Sequence, residues 1–399
     1  MLAVMDIADA VKRVTPVVTR LRHDIHAHPE LGFEEVETAR RVVESLAELP
    51  NLKIQTGVAR TGVVATLNAD RAGPVIALRA ELDALPIQET SDLPYRSTIP
   101  GRMHACGHDG HTACLVGAAI VLSEIADELP GCVKFIWQPA EEGRAGGAVM
   151  LDEGVLENPR VDAAFAVHGW PYLPLGAIGA RAGATMASAD FFEITVRGVG
   201  AHAAYPHRAV DPIFVGAQIV SAVQSIASRG VDPLDAVVVS VTEFHAGTAN
   251  NIIPATARLT GTIRTLREPV RHSVLDRFAK LVRQTASAHG ADVEIEMGRG
   301  YPVLVNDADC AAFVCRVAED VFGEAAVERD LPACMGGEDF AFFGQRVPVA
   351  FWRLGVATRP VERQPTLHQS TYDFPDLAIP IVVRMHCELA KRFPGERAG

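Results

Sequence analysis

The segment His104-Ala-Cys106-Gly-His108-Asp-Gly-His111 crowds a thiol, a carboxylate and three imidazoles ahead of an apolar run of helical character. Donors of that softness at that density read as a metal site, because zinc and its neighbours take thiolate and imidazole ligands. Gln138-Pro-Ala-Glu141-Glu142-Gly and Val167-His168-Gly-Trp come later, each directly after an apolar β-branched run, and Asp83 follows another. In open α/β sheets ligands gather beyond the carboxyl ends of strands, so these segments are expected to converge. Adjacent carboxylates on an extended backbone face opposite sides, which gives one of Glu141 and Glu142 to a metal and the other to proton transfer. That division suits hydrolysis by an activated water.

The elements that must hold these residues follow from periodicity. Apolar residues recur at helical spacing from about 4 to 27, with Pro16 expected to start a second turn or helix, and again near 34–48. Strands are predicted at 62–67, 74–80, 132–137 and 161–167, with helices at 112–129 and 145–153 between them. Near-continuous apolar strands alternating with helices predict an α/β fold with a mixed sheet covered on both faces. From 183 to 296 the pattern becomes β-α-β-β-α-β, a ferredoxin-like plan. A helix near 307–322, a strand at 348–354 and a helix near 376–392 then return to α/β grammar, and the tail from Phe393 is expected to fray. The reading is a catalytic domain in two parts, 1–182 and 297–399, interrupted by an insert at 183–296.

With 37 Lys and Arg against 49 Asp and Glu, the net charge of -12 leaves no basic face for a nucleic acid. No stretch approaches the ~18 uncharged apolar residues of a membrane span, and Asp6 and Asp9 break the apolar opening Met1–Met5 before a signal core can form. Seven scattered cysteines suit reduced thiols and a cytoplasmic protein. Cys114, Cys132, Cys310, Cys315, Cys334 and Cys387 read as small hydrophobes; only Cys106 sits among histidines.

Ordered motifs run through nearly the whole chain: Arg22-His-Asp-Ile-His26-Ala-His28-Pro-Glu-Leu, Arg79-Ala-Glu-Leu-Asp83, His104-Ala-Cys106-Gly-His108-Asp, Gln138-Pro-Ala-Glu-Glu142-Gly, Gly200-Ala-His202-Ala-Ala-Tyr-Pro, Asn251-Ile-Ile-Pro, Gly261-Thr-Ile-Arg264-Thr, Gly336-Gly-Glu-Asp339-Phe and Leu367-His368. On these the chain resembles the dinuclear metallopeptidases of the aminoacylase and carboxypeptidase G type, within them the amidohydrolase branch of hippurate hydrolase and the hydrolases of auxin–amino acid conjugates. The resemblance implies two divalent ions held by Cys106, His108, Glu142, His168 and His368, with Glu141 as general base. Zinc or manganese is expected, and cobalt or nickel also suit the donors. It further implies that the insert is a lid and dimerisation domain in a homodimer or tetramer, with His202 and Asn251 reaching the active site to stabilise an oxyanion. The wider family carries His-x-Asp where this chain has Glu81-Leu-Asp83, so Asp83 is expected behind the ligands rather than among them. Arg264, ending a predicted strand, could grip a substrate carboxylate. His26, His28, His104 and His111 read as supporting polar groups. The implied reaction is cleavage of a small N-acyl amino acid to a carboxylic acid and a free amino acid. Competing readings are a dipeptidase or aminopeptidase of the same chemistry, a Cys106 nucleophile paired with histidine, and a non-catalytic binder of acyl amino acids.

Overall fold

The computed structural model describes residues 6–393; the Met1–Met5 run and the tail beyond Phe393 lie outside the described residues. In chain order the elements are α1 (Ile7–Ala27), α2 (Val36–Leu46), β1 (Leu52–Val58), β2 (Gly62–Leu67), β3 (Val75–Glu81), α3 (His108–Glu124), β4 (Cys132–Gln138), α4 (Gly146–Asp152), β5 (Ala163–Pro174) and β6 (Ile178–Gly179). There follow β7 (Asp190–Arg197), α5 (Pro212–Arg229), β8 (Val237–Ala246), β9 (Thr256–Thr265), α6 (Glu268–Ala288) and β10 (Asp292–Met297), then α7 (Ala308–Phe322), β11 (Val349–Ala357) and α8 (Ile379–Arg392). Contacts divide the chain into two compact units, one of residues up to 183 with 305–332 and 342 onward, the other of 184–304 with 333–341. The second unit is larger than the 183–296 insert, taking in 297–304 and the separate stretch 333–341.

The first unit is built on a seven-stranded mixed sheet in the order β1-β2-β4-β3-β5-β11-β6. β3 runs parallel to β4 and β5, and β5 parallel to β11, while β1 and β2 add antiparallel strands at one edge. Every residue of β2, β3, β4 and β11 is buried, which is why these strands read as unbroken apolar runs. β1 escapes periodicity because it is a half-exposed edge strand carrying Lys53, Gln55 and Thr56. Pro16 does not start a new helix, since α1 is continuous with Pro16 inside it. The missing N–H and ring clash cost about 3 kcal/mol. Val11, Val14, Val18 and Ile25 are buried on both sides of the proline, and at about 1.5–3 kcal/mol each their burial outweighs that cost. α3 packs on α1, α8 and β3, so it is apolar all round and its first turn lies deep in the protein.

A buried ion cluster fixes that first turn. Arg22 of α1 donates through Nε to Asp109 at 2.7 Å, through its terminal nitrogens to Asp373 and Asp376, and lies over the Tyr95 ring. His26, one turn on, meets Asp109 through Nδ1 at 2.9 Å and Glu89 through Nε2 at 3.4 Å. Burial alone would lower the His26 pKa, but the Asp109 carboxylate overrides it and lifts the imidazole from 6.5 to about 9. A folded pKa above the unfolded one contributes stability that is fully present below about pH 6.5 and lost as pH rises through about 9. The thermal midpoint of His26→Gln is therefore expected to lie below that of the parent at pH 6 and to draw level with it above pH 9; a gap constant from pH 6 to 10 would refute the linkage.

The second unit is an antiparallel four-stranded sheet in the order β8-β9-β7-β10, with α5 and α6 packed together on it. Ile194, Val196, Ile219, Leu259, Phe278 and Val282 form its core, and the βαββαβ order is the ferredoxin-like plan. Among the described residues no helix is long and apolar enough to cross a membrane.

Candidate metal centre

Gly107 enters α3 at φ 89°, a left-handed conformation that glycine adopts without steric cost. This sharp turn separates Cys106, on the loop, from His108, the first helical residue. His108 Nδ1 donates to the Asp83 carbonyl oxygen at 2.8 Å and lies 3.3 Å from Asp83 Oδ1. Its Nε2 is buried and has no hydrogen-bond partner among the described residues. Asp83 Oδ2 accepts the Glu142 N–H at 2.9 Å, so one buried carboxylate ties together the β3, β4 and α3 segments.

His168 was expected to end its strand, but β5 continues to Pro174 because Gly169 and Trp170 pair with Leu354 and Gly355 of β11. Its Nδ1 donates to the Gly169 carbonyl at 2.8 Å, leaving Nε2 3.4 Å from Cys106 Sγ. His368 arrives from the other end of the chain with a φ of 64°, unusual for a side chain with a Cβ, and its N–H donates to the Ala105 carbonyl at 2.8 Å. Its Nε2 lies 3.1 Å from the buried Glu142 Oε1.

Glu141 and Glu142 do not lie on extended backbone. Ala140 (φ 55°, ψ 45°) and Gly143 (φ 80°) bend the segment into a turn, so oxygens of both carboxylates come within 4.8 Å of a His108 ring nitrogen. The same spacing joins Cys106 with His108 and His168, and Cys106 with Glu142 and His368. All six residues expected to carry the chemistry in the first unit thus share one cluster.

Sequence reasoning assigned no role to Glu81 and only a supporting one to His111. Both are fully buried: His111 Nδ1 donates to Glu81 Oε2 at 2.8 Å, and Nε2 accepts the Gly169 N–H at 2.9 Å. The His111 ring stands edge-on to His168 at 4.9 Å and walls its position. Burial would raise the Glu81 carboxyl, but Arg79 and then His111 hold it well below the usual range. A charged pair at β3 followed by Asp83 was the only sequence signal of this support.

Burial and the carboxylates of Glu142, Glu141 and Glu81 push the Cys106 thiol well above its ordinary value. Burial would lower His108, yet its hydrogen bond to Asp83 and the charges of Glu81, Asp83 and Glu142 lift it to about 10. Burial and then His111 drive His168 well below its ordinary value. The cluster brings thiol, imidazole and carboxylate donors within 4.8 Å of one another, the donor types that zinc and neighbouring divalent ions take.

In the second unit His202 is exposed on a two-residue strand paired with Ile252–Ile253, and the Asn251 carbonyl accepts the Ala203 N–H at 3.0 Å. Arg264 lies on β9, with Nε donating to Thr262 Oγ1 at 3.0 Å and the guanidinium 5.3 Å from the Phe191 ring centre.

The model of peptidase family M20/M25/M40 matches residues 77–392. N-acetylcysteine deacetylase of Bacillus subtilis is 38% identical over 370 residues, covering 93% of this chain and 95% of that protein. N-acyl-L-amino acid amidohydrolase of Geobacillus stearothermophilus is 43% identical over 301 residues, covering 75% of this chain and 80% of its own. Among solved structures, the YXEP protein of Bacillus subtilis, a dinuclear metal-binding peptidase of the M20 family, superposes with a TM-score of 0.81 at 35% identity, covering 95% of this chain and 98% of that one.

Proposed function

The chain belongs to peptidase family M20/M25/M40 and is a hydrolase of amide bonds, and from that premise we propose that it is a metal-dependent amidohydrolase of small N-acyl amino acids. The observation that carries this reading is the buried His108 Nε2, without a hydrogen-bond partner among the described residues, in a chain of donor groups that links His108 with Cys106 and His168, His108 with Glu142, and Cys106 and Glu142 with His368. A buried imidazole nitrogen without a partner is costly, and ligation of divalent ions gives it one while using the neighbouring donors. In this reading Cys106, His108, Glu142, His168 and His368 hold two divalent ions, zinc or manganese by donor type, with cobalt or nickel also accommodated. Such ions, when bound, polarise the amide carbonyl and acidify water. Because ligation requires Cys106 as thiolate and His108 neutral at Nε2, uptake releases protons.

The chain's own residues do the rest. Glu141, adjacent to a ligand yet not needed as one, takes the proton of the attacking water and returns it to the leaving nitrogen. Asp83 orients His108 and Glu142 together, and Glu81 with His111 orients His168. His202 supplies a donor to the oxyanion by reaching the site of the second subunit of a homodimer, Asn251 adds another donor, and Arg264 takes the substrate carboxylate with its forked donors. A cytoplasmic setting matches the seven free cysteines.

The test is hydrolysis of benzoyl-, acetyl-, indoleacetyl- and succinyl-amino acids before and after chelation. Turnover is expected on at least one acyl class, abolished by metal removal and restored by adding back zinc, manganese, cobalt or nickel. Activity surviving complete metal removal would favour a Cys106 nucleophile, and tight binding with no hydrolysis of any member would favour a binding protein.

A further inference from the structure

The N-terminal segment Pro29–Glu35 lies outside the ligand set, but it touches the turn that presents Glu141 and Glu142. Glu35 is the residue preceding α2, a position whose side chain commonly caps its own helix, and here it makes no such bond. Instead the fully buried carboxylate accepts the Ala140 N–H on Oε1 at 2.8 Å and the Thr61 hydroxyl on Oε2 at 2.5 Å. Ala140 is itself fully buried and left-handed, a conformation an alanine adopts only at a cost. Two further contacts hold the turn. The Gly32 carbonyl accepts from Arg144 at 3.0 Å, and a Cβ at Gly32 would stand 3.1 Å from both Ala140 Cα and Ala140 Cβ, a contact tight enough that the turn would have to shift by a few tenths of an ångström.

We infer that Glu35 is a positioning residue, whose carboxylate holds Ala140 in the left-handed conformation and thereby sets where Glu141 and Glu142 point. Folding of α2 does not need this carboxyl, and burial of a carboxyl is unfavourable unless its bonds are useful. Burial pushes it from 4.5 up to about 7, and an amide keeps its size, an acceptor for the Ala140 N–H and a partner for the Thr61 hydroxyl. The inference rests on the role proposed above for Glu141.

The test compares Glu35→Ala, Glu35→Gln and Ala140→Gly, alone and combined, by kcat, KM and bound zinc on the preferred acyl amino acid. Removing the carboxylate frees Ala140 to leave a conformation that costs an alanine enough to change populations about 5- to 30-fold. Glu35→Ala is expected to lower kcat by about that factor with KM little changed, while Glu35→Gln, which keeps an acceptor for Ala140 and a partner for Thr61, stays near the parent. Adding Ala140→Gly to Glu35→Ala is expected to restore most of the loss, because glycine needs no clamp, and to change the parent little. If Glu35→Ala does not fold, Thr61→Val loosens the same carboxylate and is expected to show a smaller kcat loss that Ala140→Gly again rescues. Full kcat in Glu35→Ala, failure of Ala140→Gly to rescue, or equal damage in the Ala and Gln variants would overturn the inference. Activity of Glu141→Gln would instead overturn the base assignment, a separate outcome read in the parent background.

Discussion

Glu141→Gln is expected to lose about 10²- to 10⁴-fold in kcat, the range general acid–base catalysis supplies, while binding zinc as the parent does. The carboxylate sits in the turn after β4, within reach of His108, and lies outside the five donors proposed as ligands. Gln keeps its size and its acceptor oxygen but cannot carry a proton between water and leaving nitrogen. Metal analysis paired with steady-state kinetics reads the two effects separately. Retained turnover would remove Glu141 from the proton-transfer role, and lost metal would place it among the ligands.

Cys106→Ala is expected to weaken metal binding by more than about 100-fold, beyond the 10- to 100-fold typical of changes one shell out, and to abolish turnover with it. Cys106 takes part in two of the donor groups, with His108 and His168 and with Glu142 and His368. Losing its sulfur therefore removes a donor common to both. Competition with a chromophoric chelator measures the change. If Cys106→Ala bound metal normally and still lost all activity, the thiol would be acting on substrate directly.

The site was legible in the sequence where one short segment carries its own signal. Cys106 and His108 flank a glycine at a helix start, and Glu141 and Glu142 follow a fully buried strand. His168 was found but set at the strand's end, whereas β5 runs on to Pro174, because the pairing that carries it onward lies on β11, far along the chain. Glu35 and the Glu81–His111 pair were not legible as parts of the site. Each acts through a partner that only folding brings near, Glu35 on Ala140 across 105 positions and Glu81 on His111 across 30. Pro16 misled because local backbone chemistry forbids what the buried stripe of α1 then enforces. The ferredoxin-like order was readable because alternation within each of its strands is local, whereas the stretch 333–341 joins that unit only through contacts no periodicity reports.

β11 fills the sheet position between β5 and β6, and His368 follows it, although both are encoded after the entire second unit. During synthesis the early donors from Cys106 to His168 thus emerge long before the strand that completes their sheet and the histidine proposed to join them. A chain cut after the ferredoxin-like unit would lack the strand that lies between β5 and β6, so the early donors by themselves do not carry the sheet that positions them.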